Sequence, residues 1–304
     1  MSLDVVCFGA LNLDKLYRVE RIAERGGESF IVDCEMSPGG SAANTATGLA
    51  RLELKTGYIG KVASDREGEI LLKSFRDEGV DTGGVVVSKD GRSGSVIGFI
   101  DKRGERVLYV DPGVNDTLRF DEISLDYVGA AEFLHLTSFV GRIPFEAQKK
   151  LVKSLTRPKL SFDPGEIYVR KGLAALRPII RRSHVLLPNE SELKLLTGEG
   201  YVEGARILLR EGVDIVAVKL GEKGCYVTDG RETHLIEPSS VKVVDTTGAG
   251  DAFCAGFLYG LMKGRDLYAC GRLGNFVAAR CIEKVGARTG LPRLGDLRKQ
   301  KLGG

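Results

Sequence analysis

The sequence predicts an α/β fold: a mostly parallel central sheet covered by helices on both faces, with a small β-sheet outside it. Three observations predict this. Short apolar, β-branched runs alternate with helical patterns along most of the chain. Polar clusters recur just past the expected strand ends, where open parallel sheets bind ligands. Two extended stretches, 13–36 and 93–112, break the alternation and carry few helical signals.

Each element has its own warrant. Residues 3–9 read as a buried strand ended by Gly9. Further strands are expected at 56–59, 133–136, 160–163, 185–187 and 215–219, each short and apolar as buried parallel strands are. Helices are expected between them at 42–52, 66–78, 145–155, 191–196 and 201–211. Strands alternating with helices imply the parallel sheet. Residues 93–110 carry a hairpin pattern around the turn Asp101-Lys102-Arg103-Gly104. Together with residues 15–36 it is expected to form a small sheet acting as a lid over a site, or else edge strands of the main sheet. No internal repeat or linker divides residues 1–304, so a single domain is expected.

Composition narrows the function class. The 304 residues are 43% hydrophobic and 28% charged, ordinary for a water-soluble domain and ample for a core. With 44 basic and 41 acidic residues and no basic block, a nucleic-acid partner is not expected. No apolar run approaches a membrane span, and no signal peptide is visible, so the expected location is cytoplasmic. Cys7, Cys34, Cys225, Cys254, Cys270 and Cys281 are scattered and read as reduced core residues, not as a zinc site. His135, His184 and His234 have no ligand or triad spacing; His135 and His184 read as core residues.

The densest chemistry lies in Asp245-Thr246-Thr247-Gly248-Ala249-Gly250-Asp251-Ala252-Phe253. This run follows the β-branched segment Val241-Lys242-Val243-Val244, read as a strand, and leads into an apolar helix. A glycine-rich strand-to-helix turn aims backbone N–H groups and the helix dipole at one spot, which suits a phosphate. A carboxylate at that spot, Asp251, can accept a proton from a hydroxyl attacking phosphorus. The same residues would also make a plain tight turn with Asp251 at the helix start.

Two distant elements carry a family resemblance. Pro38-Gly39-Gly40-Ser41-Ala42-Ala43-Asn44 precedes a helix in the N-terminal third, and the Asp245 to Phe253 run lies near the C-terminus. With Asn12-Leu13-Asp14, the lid hairpin and Asn189-Glu190-Ser191-Glu192 between them, the order resembles the ribokinase-like (PfkB) family of sugar and nucleoside kinases across essentially the whole chain. The resemblance implies a ribokinase-like three-layer core, a β-sheet lid, and transfer of the γ-phosphoryl group of ATP, with Mg²⁺, to a hydroxyl of a small sugar. A nucleoside kinase on the same fold is the alternative, and a non-catalytic nucleotide- or sugar-binding regulator a third. No Gly-x-x-x-x-Gly-Lys-Ser/Thr loop and no Gly-x-Gly-x-x-Gly after the first strand compete with it.

The resemblance also assigns roles. Asp251 matches the catalytic base, and Gly248, Ala249 and Gly250 match the anion hole. Asp14, Gly39, Gly40 and Asn44 match substrate-binding positions, joined by Asn115 just past the hairpin and Asp163 at a strand end. Asn189, Lys219, Gly221, Gly224, Thr246 and Asn275 fall on the nucleotide side. Glu192 matches a Mg²⁺ position acting through water. Asp245 and Thr247, with residues 286–289, match a monovalent-cation (K⁺) site of backbone carbonyls. By themselves Asp14, Asn44, Asn115, Asn189, Lys219 and Asn275 also read as turn, cap or surface residues. Many relatives carry Asp-Pro-Asn-x-x-Arg where this chain has Asp163-Pro164-Gly165-Glu166-Ile167-Tyr168. The missing arginine points to a neutral polyol, a free sugar or the ribose of a nucleoside, although Arg103 and Arg106 in the lid offer a charge. Tyr17, Phe99, Tyr109 and Phe139 are the candidates for a flat base slot. An exposed lid sheet needs cover, so a homodimer through the lid is expected.

Overall fold

The computed structural model describes residues 2–299. Its strands are β1 (Leu3–Phe8), β2 (Asn12–Val19), β3 (Ile31–Gly39), β4 (Thr56–Ala63), β5 (Asp81–Ser88), β6 (Gly94–Ile100), β7 (Arg106–Asp111), β8 (Ala131–Leu136), β9 (Lys159–Phe162), β10 (Ser183–Leu186), β11 (Ile215–Lys219), β12 (Cys225–Thr228) and β13 (Thr233–Ile236). Nine of them form one sheet in the order β13-β12-β11-β10-β9-β8-β1-β4-β5. From β11 to β5 every neighbouring pair is parallel; β12 and β13 close the far edge as an antiparallel hairpin. The chain enters at β1, runs outward to β5, then returns beside β1 at β8 and builds the other half. That reversal makes a crevice beyond the strand ends.

Helices α1 (Ser41–Arg51), α2 (Arg66–Asp77), α3 (Leu125–Gly129), α4 (Arg142–Ser154), α5 (Gly165–Val169), α6 (Leu173–Ile180), α7 (Glu190–Thr197), α8 (Tyr201–Arg210), α9 (Ala249–Met262), α10 (Leu267–Cys281) and α11 (Leu294–Lys299) cover both faces. The two-residue period of β1 shows why. Val5 and Cys7 join the core built with α1, α9 and α10, while Val6 and Phe8 join the one built with α4, α6 and α8. No helix among the described residues is long and apolar enough to cross a membrane.

The remaining strands form a separate four-stranded sheet, β3-β2-β6-β7. Its hairpin turn is set by Asp101: the carbonyl accepts from the Gly104 N–H at 3.0 Å, and the carboxylate accepts from the N–H groups of Arg103 and Glu105. The second sheet is thus not an extension of the main one.

Three readings are corrected. Residues 241–244 form no strand: no neighbouring strand offers them a ladder, and the Val244 and Asp245 N–H groups both turn to the Ile282 carbonyl. Cys34 is exposed on β3, although all six cysteines are free and the other five are buried. His184 is only partly buried and its Nδ1 lies 2.9 Å from Asp214 Oδ2, while His135 is fully buried against Ser161 as a core residue. Burial pushes the His135 imidazole down to about 4, so it stays neutral.

Candidate active site

A cavity of about 730 Å³ opens along the C-terminal ends of β9, β10 and β11 and reaches the first turn of α9. Eleven of the expected site residues line it: Asp163, Asn189, Glu192, Lys219, Gly221 and Gly224 from the strand ends and turns, and Thr246, Ala249, Gly250, Asp251 and Asn275 opposite. Asp14, Gly39, Gly40 and Asn44 gather behind Asp251, where β2, the end of β3 and the start of α1 meet. Asp245, Thr247 and Gly248 sit in the turn leading into α9.

The turn is built to present α9. Gly248 caps the helix at φ 78°, and a Cβ there would meet the Ala287 Cβ at 2.5 Å, so only glycine fits. The Ala249 N–H bonds back to the Thr246 carbonyl at 3.2 Å. Of the three expected anion-hole residues, Ala249 is therefore the one whose N–H is taken up within the turn. Helix α1 docks here: the Thr45 hydroxyl donates to the Asp251 carbonyl at 3.2 Å, and Asn44 Nδ2 donates to Asp251 Oδ2 at 2.8 Å.

Burial pushes the Asp251 carboxyl up to about 7, with the charge of Asp163 adding to the rise and Asn44, Lys219 and Ser41 opposing it. Asp14 is pushed up to about 6 by burial, against the pull of Arg288. Its carboxylate lies over Gly39, where a Cβ would come within 2.3 Å of Oδ2. Both carboxyls are poised near neutral pH, which is unusual outside functional sites.

Lys219, at the end of β11, is not a free surface charge. Its Nζ donates to Asp163 Oδ2 at 2.6 Å, and it reaches the start of α9, 3.4 Å from where a Cβ on Gly250 would stand. Burial disfavours its charge, but Asp163 outweighs that and holds the ammonium above its ordinary range. The Cys254 thiol, one turn along α9, donates to the same Asp163 oxygen at 3.3 Å. Asn189 and Glu192 form a reciprocal cap on α7: the Asn189 side chain accepts from the Glu192 N–H, and Glu192 Oε2 accepts from the Asn189 N–H, both at 2.8 Å. Burial pushes the Glu192 carboxyl up.

Three of the expected residues carry hydrogen bonds within the chain. Asn115 is fully buried; its Nδ2 donates to the Leu11 carbonyl and Asn12 Oδ1, and its Oδ1 accepts from the Leu11 N–H. It clamps the turn between β1 and β2. Asn275 Nδ2 donates to the Ile236 and Glu237 carbonyls, fixing the cavity wall. The Asp245 carboxylate accepts from the Gly286 and Thr247 N–H groups and the Thr247 hydroxyl, bracing the two loops expected to hold a monovalent cation. Burial works against its charge, yet these bonds hold it below its ordinary value.

The proposed base slot does not form. Phe139 is buried against Phe8. Tyr17 stacks on Phe99, its register partner, with centroids 5.6 Å apart. The alternation along β2 puts Tyr17 on the face opposite Asp14. Arg103 and Arg106 are exposed on the lid.

The side-chain role that the motifs did not disclose is that of Arg288, matched above only as part of residues 286–289. Its Nε donates to Asn44 Oδ1 at 2.8 Å, so a cation stands one residue removed from Asp251. No local pattern signals it, because the two residues lie 244 positions apart.

The chain is similar to known proteins over most of its length. Residues 2–294 match the model of the pfkB family carbohydrate kinases. A sugar kinase of uncharacterised specificity from Archaeoglobus fulgidus is 50% identical over 252 residues, covering 82% of this chain and all of that one. The ATP-dependent ribose-1-phosphate kinase of Halopiger xanaduensis is 32% identical, covering 94% of each chain. The solved structure of Arabidopsis thaliana ribokinase complexed with ribose and ATP superposes with a TM-score of 0.88 at 25% identity, covering 98% of each chain.

Proposed function

The chain belongs to the pfkB family of carbohydrate kinases, and from that premise we propose that it transfers the γ-phosphoryl group of ATP to a primary hydroxyl of a small neutral sugar. The observation that carries this reading is Asp251: a carboxyl poised near pH 7 at the mouth of a helix N-terminus, fixed by Asn44. Asp14, Gly39, Gly40 and Asn44 bind the sugar on one side of it. Thr246, Gly221 and Gly224 border the nucleotide on the other, with Asn189 and Asn275 fixing the walls. Asp251 takes the hydroxyl proton as the oxygen attacks phosphorus. The first-turn N–H groups of α9 and the Lys219 ammonium face the charge that develops on the transferred group.

Mg²⁺ fits this site in one particular way. Among the described residues no three His, Cys, Asp or Glu side chains are grouped to hold a metal. A Mg²⁺ carried mainly by phosphate oxygens and water needs no such group, and Glu192 at the cavity wall would reach it through water. When bound, it neutralises phosphate charge. The loops braced by Asp245 and Thr247 support a K⁺ requirement on the same terms.

The lid aromatics favour a sugar over a nucleoside, since Tyr17 and Phe99 lie away from Asp14. Cover for the exposed lid comes from a second copy of the chain. The test is ATP turnover with Mg²⁺ against free sugars, sugar phosphates, sugar acids and nucleosides, with and without K⁺. We expect strong turnover on one free sugar, faster in K⁺. Turnover confined to a nucleoside would replace the substrate assignment. Silence across the panel with ATP binding intact would replace the catalytic one.

A further inference from the structure

Asn44 stands between two groups of opposite hydrogen-bonding character. On one side the Asp251 carboxylate can only accept; on the other the Arg288 guanidinium can only donate. The amide matches both, with Nδ2 on Asp251 Oδ2 and Oδ1 on Arg288 Nε, each at 2.8 Å. A flip would set NH₂ against N–H and oxygen against carboxylate, so the arginine fixes which end of the amide faces the base.

Arg288 is itself held from several directions. Its Nη1 donates to Ser74 Oγ at 3.2 Å and its Nη2 to the Gly39 carbonyl at 3.4 Å. The guanidinium lies over the Phe75 ring, 5.8 Å from its centroid. Its own carbonyl accepts from Arg51 Nη1 at 2.6 Å, and Arg51 is paired with Glu78. One side chain thus ties α2, the junction of β3 with α1, and, through Asn44, the first turn of α9.

We propose that Arg288 is a positioning residue for phosphoryl transfer, orienting the Asp251 carboxylate through the Asn44 amide. This rests on the reading of Asp251 as the base. Burial pushes Arg288 down to about 10, opposed by Tyr58, Asp14, Asp251 and Glu78, so it remains a cation at neutral pH. The groups facing Asp251 are Asn44 and Ser41 from α1, Asp163 just past β9, Lys219 from β11, Cys254 on its own helix, Cys281 from α10 and Tyr58 from β4. Arg288→Met changes none of these side chains directly. Arg288→Met also removes a charge that acts on Asp251 through space, so the comparison with Asn44→Ala and the double variant, rather than the titration alone, isolates the Arg288–Asn44 link.

The experiment measures kcat and KM against pH for the wild type, Arg288→Met, Arg288→Lys, Asn44→Ala and the Arg288→Met/Asn44→Ala double variant, with Asp251→Asn alongside. For Arg288→Met we expect the acidic limb of kcat/KM to move up by about one pH unit and kcat at pH 7 to fall about 10- to 100-fold. The KM for ATP stays within about twofold, because none of the four contacts of Arg288 lines the nucleotide cavity. Arg288→Lys keeps the charge and moves the limb less, in the same direction. The double variant loses little more than Asn44→Ala alone, as expected when one residue acts through the other. A loss equal at every pH and additive with Asn44→Ala would reduce Arg288 to a structural strut and overturn the proposal. If Arg288→Met does not fold, an unmoved limb in Arg288→Lys overturns it equally. Full activity in Asp251→Asn would instead remove the base assignment, so the two failures are told apart.

Discussion

A buried carboxylate that must act as a base faces opposing demands: burial favours its neutral form, while proton abstraction needs the charged one. In Asp251 the balance settles near pH 7, because Asn44, Lys219 and Ser41 recover part of what burial and Asp163 remove. Asp251→Asn should lower kcat by about 10³-fold or more while leaving the fold intact. The wild-type kcat/KM should show an acidic limb near pH 7. Stability carries the opposite sign. A folded-state pKa raised above the unfolded value contributes stability that is complete below about pH 4 and lost as pH rises through about 7. Asp251→Asn escapes that loss. Its stability relative to the wild type should therefore increase by about 1–3 kcal/mol between pH 4 and pH 8, read from denaturant midpoints. A constant difference across that range would mean that Asp251 is not buried as described. Asp251 and Asn44 were legible in the sequence because their motifs are local. Lys219 and Asp163 were also legible as site residues, but their ion pair and the contact of the Arg288 side chain with Asn44 were not, because nothing local marks contacts that only folding makes.

At the level of elements, the site depends on how α9 begins. Gly248 gives the turn its left-handed residue, and Ala287 fills the space where a side chain would stand. Gly248→Ala would add about 1–2 kcal/mol of backbone strain together with a steric clash. The first turn of α9 should shift, and with it both the N–H groups and Asp251. We predict a fall in melting temperature of about 2–8 °C with a disproportionate fall in kcat. A melting change without loss of turnover would show that the aim of this turn is not critical. The alternating elements of the core could be read because β1 or β4 buries both faces and advertises itself as an apolar run. The segment 241–244 misled for the same reason: β-branched residues favour strands only where a neighbour supplies a ladder. Here they edge the cavity, where Val241 and Val243 meet the space assigned to the nucleotide. The β12–β13 hairpin went unread because, unlike the equally short β9 and β10, its strands are not each followed by a helix that marks a βα unit.

On the scale of the whole molecule, the four-stranded sheet is the part with least cover. Its edge strands are both unpaired among the described residues, and they expose large apolar side chains: Met36 is 54% and Tyr109 61% exposed. The register of β2, β6 and β7 places Tyr17, Phe99 and Tyr109 on the face turned away from Asp14. One face thus carries Asp14, while the other carries an aromatic patch next to Lys15, which pairs with Glu67 of α2. Such a patch on a sheet with open edges invites association, and a two-fold pairing of identical sheets closes both without forming a filament. The chain should therefore run at twice its monomer mass in light scattering at micromolar concentration. Tyr109→Lys places a charge in the patch and should shift the mass toward that of one chain. Because β2 carries Asp14, loosening the sheet should raise the KM for the sugar several-fold while leaving that for ATP unchanged. A wild-type monomer at every concentration would dismiss the pairing. A monomeric variant with unaltered sugar KM would leave the pairing but separate it from substrate binding.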